Sequence, residues 1–134
     1  MSQGWIGVDL DGTLAEYEPG SAWNGVEIGP PVPAMVARVR RWLAEGRDVR
    51  IFTARMAPIN GSYQPDLVVR TAIVDWCVAH IGRALPITAT KDYHMLELWD
   101  DRAVQVERNT GRPVGHSTRG LDDFAPVTEQ GEGD

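Results

Sequence analysis

The string Asp9-Leu10-Asp11-Gly12-Thr13 stands where an apolar run, Trp5-Ile6-Gly7-Val8, ends. A short apolar run bounded by turn residues predicts a buried strand, here Trp5–Leu10. Side chains alternate along a strand, so Asp9 and Asp11, two residues apart, point to the same side. Gly12 then allows a sharp turn. A strand that brings two carboxylates to one point at its carboxyl end builds a site for a metal and a phosphate.

The rest of the chain predicts a regular alternation of elements. Residues 14–31 are rich in Gly, Pro and polar groups and include Tyr17 and Trp23, which predicts a turn-and-flap excursion. Pro31 and Pro33 favour a helix start. Val32, Met35, Val36, Val39 and Leu43 form a helical stripe, and Gly46 is its stop. Val49–Thr53 reads as a second strand, followed by a loop over 54–65. A second helix is expected over Asp66–Ile81, apolar on much of its circumference (Val69, Ile73, Trp76, Cys77, Val78, Ile81) and closed by Gly82. Leu85–Ala89 and Met95–Trp99 read as two further strands, the last ending at Asp100-Asp101. Val104-Gln105-Val106 and Pro113-Val114 flank Asn109-Thr110-Gly111 as a terminal hairpin within 103–116.

Alternating strands and helices predict a three-layer, Rossmann-like α/β fold. Its sheet would be mostly parallel, with helices on both faces and no large cap domain. The expected catalytic domain is 1–116, followed by an acidic, weakly ordered tail over 117–134. In such sheets ligands bind beyond the carboxyl ends of the strands. Asp9 and Asp11, Thr53, and Asp100 and Asp101 each end a predicted strand, so all three ends can meet in one crevice.

Composition narrows the class. A chain of 134 residues with 43% hydrophobic content suits one domain with a real core. No apolar run is long enough to span a bilayer, and the N-terminus does not resemble a signal peptide. Cys77 is the one cysteine and reads as a small core residue, so a cytoplasmic location is expected. Residues 121–134 hold five acids and no base, which leaves 14 acids against 13 bases in residues 1–120. The net charge of -6 therefore belongs mostly to the tail and says little about the substrate. Of the 13 basic residues, 12 are arginine and Lys91 is the one lysine. Lysine supplies a compact point charge that arginine does not imitate.

At Asp9-Leu10-Asp11-Gly12-Thr13, Thr53, Lys91 and Asp100-Asp101, in that order, the chain resembles the haloacid dehalogenase superfamily of aspartate-nucleophile phosphohydrolases. The resemblance covers roughly residues 4–107. It implies that Asp9 is the nucleophile and a metal ligand. Asp11 would be the general acid and base, with its backbone carbonyl facing the metal. Thr53, in Phe52-Thr53-Ala54-Arg55, would bind the phosphoryl group. Lys91 would neutralise phosphoryl charge and orient Asp9. Asp100, with or without Asp101, would complete the metal site. The implied substrate-binding set is Thr53, Ala54, Arg55 and Lys91; the implied metal set is Asp9, Asp11, Asp100 and Asp101. The implied cofactor is Mg2+. Independently of the resemblance, four carboxylates in one crevice repel each other, and a hard divalent cation with oxygen ligands relieves this.

Phosphate monoester hydrolysis is thus the leading expectation, on a phosphorylated small molecule and with no membrane partner. The site would be open and capless, in a monomer or homodimer. The loop residues Arg55, Met56, Asn60 and Tyr63, with Trp23, either select a small substrate or simply pack. Arg38, Arg40, Arg41, Arg47 and Arg50 suit either a solvated helix face or a nucleic-acid end as substrate. Two other readings share the fold: a phosphoacceptor module and a binding module with little turnover. The order of the acids disfavours the phosphoacceptor. His80, His94 and His116 lack metal-ligand spacing. Glu97, inside an apolar strand, has no evident role in the sequence.

Overall fold

The computed structural model describes residues 4–18, 26–58 and 67–115. Trp23, Asn60, Tyr63, His116 and the tail 117–134 lie outside them. The chain divides into two compact units, Met1–Asp101 and Arg102–Asp134.

In the first unit, β1 (Trp5–Val8) is paired in parallel with β2 (Asp48–Phe52) on one side and β4 (Met95–Trp99) on the other. The short β3 (Ile87–Thr88) pairs in parallel with β2, giving the order β3-β2-β1-β4. Two helices, α1 (Pro33–Ala44) and α2 (Leu67–His80), make the crossovers β1–β2 and β2–β3. The expected α/β class and parallel sheet are what the chain adopts. No helix among the described residues is long and apolar enough to cross a membrane.

Each boundary has a local cause. β1 stops at Val8 rather than Leu10 because the Leu10 carbonyl accepts from the amides of Thr13, Leu14 and Ala15, which closes a turn. α1 has no side-chain N-cap and starts at Pro33, whose missing N–H would have had no helical partner there. At its other end Gly46 has φ +83, and the Arg47 N–H donates back to the Trp42 carbonyl at 2.9 Å. β3 is shorter than the expected Leu85–Ala89 and sits on the sheet edge, next to Pro86, which has no N–H to give.

The register sorts β1 and β2 onto two faces. Ile6, Val8, Val49 and Ile51 point one way and pack with Met35, Val36, Val39 and Trp42 of α1 and Val69, Ile73, Trp76 and Cys77 of α2. Both crossovers step the same way along the sheet, so right-handed connections put both helices on one side. Among the described residues, α1 and α2 share this face of the sheet. The other face carries Trp5, Arg50 and Phe52: the Trp5 and Phe52 rings are 6.5 Å apart, and the Arg50 guanidinium lies 4.8 Å from the Trp5 ring. Asp48 holds that guanidinium through two hydrogen bonds of 3.0 and 3.3 Å.

Glu97 has a role on the edge strand β4. Its carboxylate accepts from the Trp99 indole N–H at 3.0 Å. Trp99 then meets Trp42 edge to face at 5.2 Å, with Arg38 stacked 4.9 Å from its ring. Two members of the arginine cluster, Arg38 and Arg50, are therefore engaged on tryptophans. Cys77 is fully buried, and burial pushes its thiol up to about 11, as suits a core residue. Val78, by contrast, is 51% exposed although it continues the apolar pattern of α2.

The described part of the second unit is a tight hairpin. Val106 bridges Pro113, and Glu107 N–H donates to the Arg112 carbonyl at 2.8 Å. Its turn uses Asn109 and Gly111 at φ 66 and 80.

Ile51 is fully buried between the helices and the sheet. Ile51→Ala is expected to cost about 2–5 kcal/mol in urea unfolding. Val78→Ala on the exposed side of α2 is expected to change stability by less than about 0.5 kcal/mol.

Candidate functional site

The chain leaves β1 at Asp9, whose N–H still donates to the Trp99 carbonyl at 2.9 Å. Pairing with β4 thus runs up to the first acid and sets the β1 and β4 ends side by side. Gly12 then takes φ +91, which L side chains rarely adopt. A Cβ on Gly12 would lie 2.5 Å from the Asp101 carboxylate, which would have to turn aside. Thr13 fastens the same two ends. Its Oγ1 accepts from the Asp101 N–H at 3.0 Å and lies 3.1 Å from Asp101 Oδ1 and 3.5 Å from Asp9 Oδ2. Thr13 thus ties the turn after Asp11, which its N–H closes on the Leu10 carbonyl at 3.3 Å, to the late acid pair.

Asp9, Asp100 and Asp101 each place a carboxylate oxygen within 4.8 Å of the others. Asp9 is pushed up from 3.8 to about 7, first by desolvation on burial. The charge of Asp100, then a hydrogen bond and the charge of Asp101, add to this, while a backbone bond at Leu10 opposes it. Hard oxygen donors at this spacing are the set a divalent cation such as magnesium prefers.

Asp11 faces a different partner. Arg55 Nε donates to Asp11 Oδ2 and Nη2 to Asp11 Oδ1, both at 2.8 Å, in a bidentate fork. Nη2 also donates to the Glu27 carbonyl at 2.7 Å. The Arg55 side chain is only 4% exposed. The Asp11 side chain is therefore outside the three-acid cluster. Sequence order offered no signal for this pair, whose members are 44 residues apart.

Thr53, at the end of β2, is buried, and its Oγ1 accepts from the Arg55 N–H at 3.1 Å. That bond caps a 3₁₀ turn over Ala54–Met56. The Thr53 amide donates to the Thr88 carbonyl of β3 at 2.9 Å, so β2 and β3 end together. Lys91 follows β3 on the same edge of the sheet and is exposed. No ion pair among the described residues reaches it. Its loop is pinned next door: Asp92 accepts from the Trp5 indole at 2.9 Å and from the His94 N–H at 2.8 Å. The Trp5 bond is the main reason the Asp92 carboxyl lies below the usual carboxylate range.

No protein-family model matches the chain, and no curated protein matches it. A solved structure, that of a conserved protein coded by a locus of Bacteroides thetaiotaomicron, is similar over 77% of this chain and 79% of its own, with a TM-score of 0.50 and 19% identity. At that identity the similarity concerns the fold alone.

Two outcomes test this geometry without any substrate. Asp9 holds its proton more tightly in the folded protein than in the unfolded chain. Folded protein therefore binds more protons between 3.8 and about 7, and stability falls as pH rises through that window. In EDTA, the thermal midpoint is expected to fall from pH 4 to pH 8, and Asp9→Asn is expected to flatten that fall and to be the more stable protein at pH 8. Gly12→Ala is expected to cost at least about 1–2 kcal/mol from the left-handed backbone alone. Urea unfolding reads that loss, and the new methyl also displaces the Asp101 carboxylate.

Proposed function

We propose that this chain is a magnesium-dependent phosphomonoesterase that works through an aspartyl-phosphate on Asp9. The observation that carries this reading is the packing of the Asp9, Asp100 and Asp101 carboxylates within 4.8 Å at the ends of two adjacent parallel strands. Burial, then the neighbouring Asp100 and Asp101, push Asp9 up to about 7, and a bound cation would favour the ionised form of all three. Asp9, Asp100 and Asp101 would hold that magnesium, which supplies charge neutralisation for the phosphate.

In the first step an Asp9 carboxylate oxygen attacks phosphorus. The bond from phosphorus to the ester oxygen breaks, and the leaving oxygen takes a proton from Asp11. In the second step water attacks phosphorus and gives its proton to Asp11, the aspartyl–phosphate bond breaks, and Asp9 is restored. The Thr53 hydroxyl already accepts from the Arg55 amide, so its own proton can go to a phosphoryl oxygen. Lys91 contributes positive charge from the neighbouring strand end. The stacking of Arg38 on Trp99 and of Arg50 on Trp5 supports a small-molecule ester over a nucleic-acid end, because those guanidiniums already have partners in the fold.

The test is phosphate release from a broad panel of esters, with and without magnesium. Release is expected to need magnesium and to vanish in Asp9→Asn with the fold retained by circular dichroism. Asp11→Asn is expected to slow it by roughly 10²–10⁴. Substantial turnover by Asp9→Asn would rule out the nucleophile. Release from no ester, small or polynucleotide, would rule out the phosphatase.

A further inference from the structure

The Arg55 fork is the strongest structural feature near the acids that the reaction above does not use. Its Nε and both Nη2 protons are committed: two to the Asp11 carboxylate and one to the Glu27 carbonyl. A guanidinium grips a phosphate with this same fork. With the fork taken, Arg55 is badly placed for the substrate-binding role implied by its place after Thr53. Its neighbours also fix it from below, since the Arg55 amide caps onto Thr53 and the side chain is nearly fully buried.

Glu27 lies on the returning arm of the excursion that follows Thr13. That arm is stitched to the outgoing arm by the Glu16 N–H on the Pro30 carbonyl and the Val32 N–H on the Leu14 carbonyl, each at 2.8 Å. A Cβ on Gly29 would run into the Glu16 carbonyl, so the two arms touch closely. Arg55 thus joins three pieces of chain at one point: the turn carrying Asp11, the end of β2 carrying Thr53, and the arm at Glu27. Cutting that point frees Asp11 to rotate and loosens the arm at the same time.

We propose that Arg55 is a positioning residue, which orients the Asp11 carboxylate and ties the 26–30 arm to it, and does not bind the substrate phosphate. The catalytic half of this rests on the phosphatase reading; the tie itself does not. A carboxylate has about four lone-pair sites, and the fork occupies two, so an Asp11 held in this way keeps acceptor capacity for the proton of the attacking water. Arg55→Lys keeps the charge and loses the fork, which separates orientation from simple electrostatics.

The experiment has two arms, using the full chain and the variants Arg55→Gln, Arg55→Lys, Asp11→Asn and the double variant Asp11→Asn/Arg55→Gln. The first arm is amide hydrogen exchange without substrate. Arg55→Gln is expected to speed exchange at Glu16 and Val32, with Ile51 in the core unchanged. Unchanged exchange at Glu16 and Val32 would overturn the tie, as would a loss of protection throughout the chain. The second arm is steady-state hydrolysis of the best ester. Arg55→Gln and Arg55→Lys are each expected to lower kcat by about 10–100-fold with KM within twofold, as misplacement of a reacting group does. The double variant is expected to be no slower than Asp11→Asn alone. A large rise in KM, or losses that multiply in the double variant, would make Arg55 a phosphate ligand and overturn the proposal. If the wild-type protein hydrolyses nothing, the phosphatase reading fails on its own, while the exchange arm still decides whether Arg55 ties the arm to Asp11.

Discussion

Like charges repel, and the ends of β1 and β4 hold three carboxylates within 4.8 Å of one another. The local fold is organised around enforcing that proximity. The Asp9 amide remains in the ladder with Trp99, so β1 cannot drift from β4 at the point where their acids emerge. Gly12 clears the space that Asp101 occupies, and Thr13 grips Asp101 through both its amide and its carboxylate. The helices supply the counterweight from below. Ile6, Val8 and Ile51 are sealed under α1 and α2, which leaves β1 no freedom to relieve the repulsion by moving. Burial at this point, together with the charges of Asp100 and Asp101, pushes Asp9 up to about 7.

The parts of this arrangement that are legible in the sequence are those set by near neighbours. The apolar run before Asp9 identifies a central strand; alternation would put Asp9 and Asp11 on one side of it, but the strand stops at Val8 and Asp11 lies in the turn that follows, on Arg55. Gly12, Gly46 and Gly82 mark turns where the backbone takes positive φ. What the sequence does not reveal depends on partners far along the chain. Arg55 reads as a candidate phosphate ligand because it follows Thr53, yet its fork belongs to Asp11, 44 positions earlier. Glu97 looks misplaced in an apolar strand until Trp99, two residues on, is seen to need an acceptor for its indole N–H. The number of helical layers is hidden for a similar reason. Periodicity finds α1 and α2, but the strand order that puts both on one face is a property of pairing.

On the face opposite the helices, described side chains of the sheet and of the loop after β3 surround Trp5. Trp5 is 1% exposed, although no described helix covers it. Its ring is roofed by the Arg50 guanidinium, which Asp48 holds in place, and its indole N–H is satisfied by Asp92. Stacking of a planar cation on an indole desolvates the ring at little cost to the cation, whose edge stays available to a carboxylate. The Asp92 bond also reaches beyond packing. It anchors the loop that begins just after β3, and Lys91 is the residue beside that anchor.

The two acids of the Asp-Leu-Asp string come from one strand end and share a composition, but they meet opposite surroundings. Asp9 is pushed up to about 7, first by burial and then by two further carboxylates; Asp11 faces a buried guanidinium. Division of labour between paired carboxylates arises when their environments differ in this way. On the phosphatase reading, the acid crowded by like charges is the one whose charge a cation must secure before it can attack. The acid held by a fixed fork is the one whose task is to move a proton along a constant direction, twice, in opposite senses. Geometry matters more to the second task than to the first, because proton transfer requires hydrogen-bond reach at each step. A rigid guanidinium held in the turn after β2 answers that requirement in a way a flexible lysine could not, which gives a physical reason for an arginine at Arg55.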